Sequence, residues 1–97
     1  MRFEVELAPE AVQDFRRLKA GVRTRVREAI ETHLRREPGR TSRSRIKRLR
    51  GISRPEYRLR VDDVRIFYGV GDGVVEVLAI VEKSRASEWL REIGEKK

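Results

Sequence analysis

Tyr57-Arg58-Leu59-Arg60-Val61-Asp62-Asp63-Val64-Arg65-Ile66-Phe67-Tyr68 is the stretch that decides the fold. Side chains of a β-strand point alternately to its two faces, so the period-two pattern on either side of Asp62-Asp63 predicts two strands joined by a tight turn. Asp-Gly would suit such a turn better, but Asp-Asp between alternating runs is tolerable. With Asp62 and Asp63 as the two turn residues, Val61 faces Val64, Arg60 faces Arg65, Leu59 faces Ile66, Arg58 faces Phe67 and Tyr57 faces Tyr68. One side is then Tyr57, Leu59, Val61, Val64, Ile66 and Tyr68, an apolar face for the core. The other side is Arg58, Arg60, Arg65 and Phe67.

Like charges directly opposed across a sheet are destabilising, and proteins break such local rules where function requires it. Phosphate is the simplest ligand that relieves the repulsion, and Phe67 offers a ring on which a base can stack. The blander alternative is a solvated face in which these arginines pair with Glu76 or Glu82 of the next strand, since exposed ion pairs are common and weak.

Working outward, Val64 to Val70 is followed by the turn signal Gly71-Asp72-Gly73 and a last strand, Val74 to Glu82. The unbroken run Val77-Leu78-Ala79-Ile80 predicts burial on both faces, hence a central strand. At the other end Phe3, Val5 and Leu7 alternate with Arg2, Glu4 and Glu6, a half-buried strand. Pro9 suits a first helical turn with Glu10 near its N-terminus, and Ala11, Phe15 and Leu18 recur at helical spacing. Gly21 breaks that pattern. Val22, Val26, Ala29, Ile30 and Leu34 mark a second helix, ended by Pro38-Gly39, so the pair forms an antiparallel αα-hairpin. Residues 39–45 read as a basic loop and Ile46 to Gly51 as a short extended stretch. Ser84 is the expected cap of a final helix whose apolar side is Ala86, Trp89, Leu90 and Ile93, with Trp89 packing it onto the sheet. The Gly94–Lys97 tail is expected to fray. The order β-α-α-β-β-β-α gives an α+β fold: a small, mainly antiparallel sheet with an αα-hairpin and a C-terminal helix packed on it, one domain over residues 1–97.

With 41% charged and 38% hydrophobic residues the chain borders on disorder, but its apolar residues fall in periodic clusters that can pack. The net charge of +8 favours a polyanionic partner: nucleic acid, an anionic membrane surface or an acidic protein. Nineteen of the 24 basic residues are Arg, which binds phosphate and carboxylate in a planar, two-pronged way that Lys cannot. Between Arg40 and Arg60 nine basic residues accompany one acid, Glu56, so the charge concentrates around the hairpin. The absence of Cys excludes disulfides and thiolate metal sites. The single His33 cannot build a His-based metal site, and beside the apolar stripe of a helix its expected role is structural. The opening residues do not resemble a signal peptide, and the longest apolar run, Val77 to Val81, is too short to span a membrane. A cytoplasmic protein without membrane contact, metal or cofactor is the expectation.

Lys47-Arg48-Leu49-Arg50-Gly51, then Tyr57 to Tyr68, then Val74 to Ile80, with Ala8-Pro9-Glu10-Ala11 and the helical pair ahead of them, resemble the RelE/ParE superfamily of bacterial toxins. The resemblance covers nearly the whole chain, and the order and spacing of the short pieces carry its specificity. It implies the toxin of a type II toxin–antitoxin pair. RelE-like members cleave mRNA on the ribosome by attack of a ribose 2′-hydroxyl on the neighbouring phosphate, without metal or cofactor. On that pattern Arg58 and Arg60 match the basic pair of one strand and Arg65 the phosphate-stabilising Arg of the next. Lys47, Arg48, Arg50, Phe67 and Lys83 are the implied RNA contacts, and Arg85 joins the catalytic candidates. The family's further Arg and Tyr after the last strand fall on Ser84 and Leu90, with Lys83, Arg85 and Trp89 one residue away. Leu90 cannot transfer a proton, and Arg stays protonated, so the general base is not identified.

Three functions follow: a RelE-like, ribosome-dependent mRNA endonuclease; a ParE-like inhibitor of DNA gyrase; and a non-catalytic RNA- or ribosome-binding module. Either toxin reading implies a cognate antitoxin, with an acidic or amphipathic segment covering the basic face, in a toxin–antitoxin hetero-oligomer.

Overall fold

The computed structural model describes residues 2–96. In chain order it contains β1 (Glu4–Leu7), α1 (Pro9–Arg17), α2 (Ala20–Ala29) with a π-helical turn (Ile30–Leu34), β2 (Ile46–Arg48), β3 (Ile52–Arg54), β4 (Tyr57–Val61), β5 (Val64–Val70), β6 (Val74–Glu82), α3 (Lys83–Ile93) and β7 (Glu95–Lys96). Five strands form one sheet in the order β1-β6-β5-β4-β2, and β3 pairs with β7 in a small second sheet. Only β1 and β6 run parallel; the other pairs are antiparallel.

The hairpin forms in the expected register, from Tyr57↔Tyr68 to Val61↔Val64. Its apolar face joins the core: Leu59, Ile66 and Tyr68 are fully buried against Val26, Leu34, Val75 and Val77. Each such aliphatic side chain contributes about 1.5–3 kcal/mol by leaving water. The Tyr57 and Tyr68 rings stack at 5.5 Å, and the Tyr68 hydroxyl donates to the Pro38 carbonyl oxygen at 2.6 Å. Asp62 takes φ 52°, the left-handed conformation that lets so short a turn close.

Four local expectations are corrected. The break between α1 and α2 falls at Leu18-Lys19, both extended, and Gly21 lies inside α2. Leu18 turns its side chain into the core, and Arg23 Nη1 donates to the Leu18 carbonyl oxygen at 2.9 Å, closing the end of α1. The second helix ends in the π turn at Leu34, before Pro38. Ser84 is not the cap of α3: Glu82 holds that position without a side-chain hydrogen bond, and the Lys83 N–H donates to the Asp63 carbonyl oxygen at 2.7 Å. The tail does not fray at Glu95–Lys96, which pairs with β3; Lys97 lies outside the described residues.

The apolar run in β6 has two causes. Phe67 pairs with Ala79 but Tyr68 with Val77, so Leu78 is an extra residue that bulges from the ladder and shifts the alternation. In addition, α1 and α2 cover one face of the sheet while α3 covers the other, so both parities are buried at the centre. Beyond Leu7, β1 leaves β6, and Asp14 of α1 accepts the Ile80 N–H at 3.0 Å in place of a strand partner.

Candidate functional site

β4 and β5 set Arg58, Arg60, Arg65 and Phe67 on the sheet face turned away from α1 and α2. Arg60 is the direct register partner of Arg65, and Arg58 that of Phe67. On the neighbouring edge strand Lys47 is the partner of Arg58 and shares this face. The sequence pattern suffices to bring Arg58, Arg60, Arg65 and Phe67 together, because strand parity fixes the side to which each points, while Lys47 joins them through the β2–β4 register.

Arg65 is only 6% exposed. Its Nη1 donates to the Asp62 carbonyl oxygen at 2.9 Å and the Val64 carbonyl oxygen at 3.1 Å. The turn therefore holds the guanidinium by one nitrogen, and among the described residues nothing accepts from the other two. Burial and the Arg60 charge lower the proton affinity of Arg65, which the attraction of Asp63 offsets only in part. Arg58 is half-buried, and its Nε is enclosed without any hydrogen-bond partner. Burial, Arg65 and Arg60 all lower its proton affinity. A guanidinium keeps its proton regardless, so these shifts mean three crowded cations that Asp63 balances only in part. An unsatisfied buried donor costs about 1–3 kcal/mol, more when charged.

Among the described residues none of Arg58, Arg60, Arg65, Lys47, Lys83 or Arg85 forms an ion pair; Glu76, a proposed partner, is taken by Arg54. The picture of a solvated face paired to the next strand therefore fails for these arginines.

Other candidates lie elsewhere. Arg48 pairs in register with Tyr57 and so points to the opposite face, where it sits 5.4 Å over the Tyr57 ring and 4.0 Å from Glu56. Arg50 is exposed in the bend between β2 and β3. Lys83 opens α3, tethered beside the β4–β5 turn by its backbone bond to Asp63. Arg85 lines a cleft between α1 and α3 with Glu10, Asp14 and Glu88. Phe67 corrects the expectation of an open stacking ring: it is fully buried, and Trp89 of α3 lies on it with ring centroids 4.8 Å apart and planes at 11°. Trp89 does pack the last helix onto the sheet, as its apolar position predicts. The anchoring carbonyls of Asp62 and Val64 had no sequence signal, because a side-chain pattern does not say where main-chain oxygens point. Among the described residues no group of three or more His, Asp or Glu side chains is arranged to hold a metal ion, and no helix is long and apolar enough to cross a membrane.

What the arrangement can do is bind an anion. A phosphate oxygen is the acceptor that the two nitrogens of Arg65 without a partner lack, and two or more arginines around one phosphate stabilise added negative charge.

A family model described as the ParE toxin of the type II toxin–antitoxin system parDE matches residues 5–87. A chain of the archaeal RelE–RelB complex from Pyrococcus horikoshii OT3 is 25% identical, with a TM-score of 0.72, over 88% of this chain and 99% of that one. Escherichia coli toxin RelE, in a mutant form in the free state, is 26% identical with a TM-score of 0.70, over 95% of this chain and 94% of that one. A chain of the RelB–RelE complex from Methanococcus jannaschii shares the fold at 19% identity and a TM-score of 0.67, over 87% of this chain and 96% of that one. No curated protein matches the sequence.

Proposed function

Since the chain belongs to the RelE/ParE superfamily of type II toxin–antitoxin toxins, we propose that it acts as a RelE-like mRNA endonuclease on the ribosome, with Arg58, Arg60 and Arg65 holding the scissile phosphate. The observation that carries this reading is the crowding of Arg58, Arg60 and Arg65 on one sheet face, none with an ion-pair partner among the described residues. A gyrase inhibitor has no need of unpaired, partly buried arginines on a sheet face. A phosphodiester on this face relieves the crowding.

In the proposed reaction the ribose 2′-oxygen attacks the adjacent phosphorus, the bond to the 5′-oxygen breaks, and the products are a 2′,3′-cyclic phosphate and a 5′-hydroxyl. Arg65, fixed by the turn carbonyls, presents its remaining donors to the charge that grows on the phosphoryl oxygens. Such fixed donors contribute about 2.7–4 kcal/mol each in comparable oxyanion sites. None of the three arginines on this face transfers a proton at neutral pH, so that work falls to solvent or the ribosome.

A second reading, inhibition of DNA gyrase, is favoured by one observation: the matching family model is that of ParE toxins. Either activity requires restraint in the cell, and the relatives in toxin–antitoxin complexes support a cognate antitoxin here. An acidic segment of that partner is the protein counterpart of the phosphate.

Cell-free translation followed by primer extension on the mRNA tests the reading. Wild type is expected to cut within codons, and Arg65→Ala to cut at least a hundredfold more slowly. Uncut mRNA together with loss of supercoiling by purified gyrase would establish the second reading instead.

A further inference from the structure

His33 and Arg45, which the function above does not use, share the wall between two surface concavities. One is lined by His33, Glu37, Arg40, Ser42 and Arg45, the other by Arg25, Glu28, His33, Arg45, Arg60 and Asp62. Arg45 Nη1 lies 3.1 Å from His33 Nε2. A guanidinium has no acceptor, so Nε2 must accept and the ring is neutral, with its proton on Nδ1.

The contact is built from both sides. His33 lies in the π turn Ile30–Leu34, where the Arg35 N–H reaches back to the Ile30 carbonyl oxygen at 3.2 Å. Turns of this width are rare and frequently lie at functional sites. Arg45 is held by three backbone bonds around it: its N–H donates to Ser42 Oγ at 3.0 Å, the Ile46 N–H to the same oxygen at 3.3 Å, and its carbonyl accepts from the Arg60 N–H at 2.8 Å.

The charges are equally specific. Around His33 the carboxylates of Glu37 and Asp62 are engaged by Arg40 and Arg25. Glu28 is the remaining acid, while Arg45 and Arg60 have no ion-pair partner among the described residues. Arg60 also faces Arg65, so this cleft continues the arginine face round the end of β2.

We propose that His33 and Arg45 form a second phosphate subsite, which holds a phosphodiester of the same RNA next to the one at Arg58, Arg60 and Arg65. This rests on the reading of the chain as an RNA-binding toxin. An incoming phosphate accepts from Arg45, frees Nε2 from the guanidinium, and lets His33 take up a proton and donate in turn. Burial and Arg45 disfavour His33 protonation in the free protein, and the phosphate charge opposes both.

His33 is the only histidine, so its ring carbon–proton signals report on the subsite without ambiguity. The full chain is titrated with a short single-stranded RNA and, separately, with inorganic phosphate, while binding of fluorescent RNA is followed by anisotropy. Both ligands are expected to move the His33 ring signals and raise its titration midpoint. Arg45→Ala is expected to weaken RNA binding about tenfold and reduce the salt slope by about one, and Arg91→Ala, in α3, to change both less. RNA that binds without moving the ring signals, or moves them when inorganic phosphate does not, overturns the subsite and leaves the proposed function standing. Failure of the wild type to bind RNA overturns both.

Discussion

Arg60 and Arg65 face each other as register partners across the β4–β5 hairpin, and neither has an ion-pair partner among the described residues. Opposed like charges weaken a strand pair by about 0.2–1 kcal/mol. Arg60 is exposed, so its replacement costs little packing. Arg60→Gln is therefore expected to raise the urea midpoint of the free protein while weakening RNA binding about tenfold. The wild type should gain stability as salt rises from low to physiological concentration, and the variant should gain less. A variant less stable than wild type at low salt would show that the opposition is not a cost.

Arg58 makes the same argument from inside the structure. Arg58→Met keeps the buried stem and removes the enclosed Nε that has no acceptor. Stability is expected to stay level or rise by up to about 1 kcal/mol, because deleting an unsatisfied buried cation removes a penalty. RNA binding should fall tenfold or more. Arg58→Lys retains the charge without the planar fork and should fall between the two. Calorimetry and anisotropy on the three proteins separate these outcomes.

Parity explains why so much of this site was legible. Once Asp62-Asp63 is taken as the turn, the positions of Arg58, Arg60, Arg65 and Phe67 follow with no further information, whereas the sequence grouped Arg48 with Lys47 and only the β2–β4 register sends Arg48 to the other face. The fold class followed from the hairpin, the helical spacings and the alternating strand at the start. Three things did not follow. The bulge at Leu78 was hidden because a register shift and two-sided burial produce the same apolar run. The cover on Phe67 depends on where α3 docks, which hydrophobic spacing in the helix does not specify. The His33–Arg45 contact joins residues twelve apart through a π turn, and helical periodicity assumes the ordinary turn.

Trp89 fixes α3 to the sheet. No residue of α3 is fully buried, and its attachments are the Trp89–Phe67 stack, the Lys83–Asp63 backbone bond and the β3–β7 pairing. Aromatic stacking contributes about 0.5–1.5 kcal/mol beyond its buried area. Trp89→Ala is expected to lower global stability by about 1–3 kcal/mol and to speed amide exchange across residues 83–93 far more than in β5. It also uncovers Phe67 beside Arg58. Equal acceleration in α3 and β5 would mean that the helix and sheet open as one unit, and the stack would then not be the specific tether.

His33 gives the protein a pH-dependent component of stability whose sign can be worked out. Burial and the nearby Arg45 hold its titration below the ordinary value of 6.5 in the folded protein. The unfolded chain then binds the proton more readily, so stability rises with pH where the two states differ. The contribution is constant above about pH 6.5–7 and is lost as pH falls from there through the folded value. Wild type should therefore lose stability between pH 7 and 5 more steeply than His33→Gln, whose neutral amide can still accept from Arg45. Arg45→Ala should restore part of the ordinary titration and flatten the same profile, since it removes one of the two causes. Urea midpoints at half-unit pH steps for the three proteins make the comparison. Parallel wild-type and His33→Gln profiles would show that the imidazole titrates alike in the folded and unfolded chain.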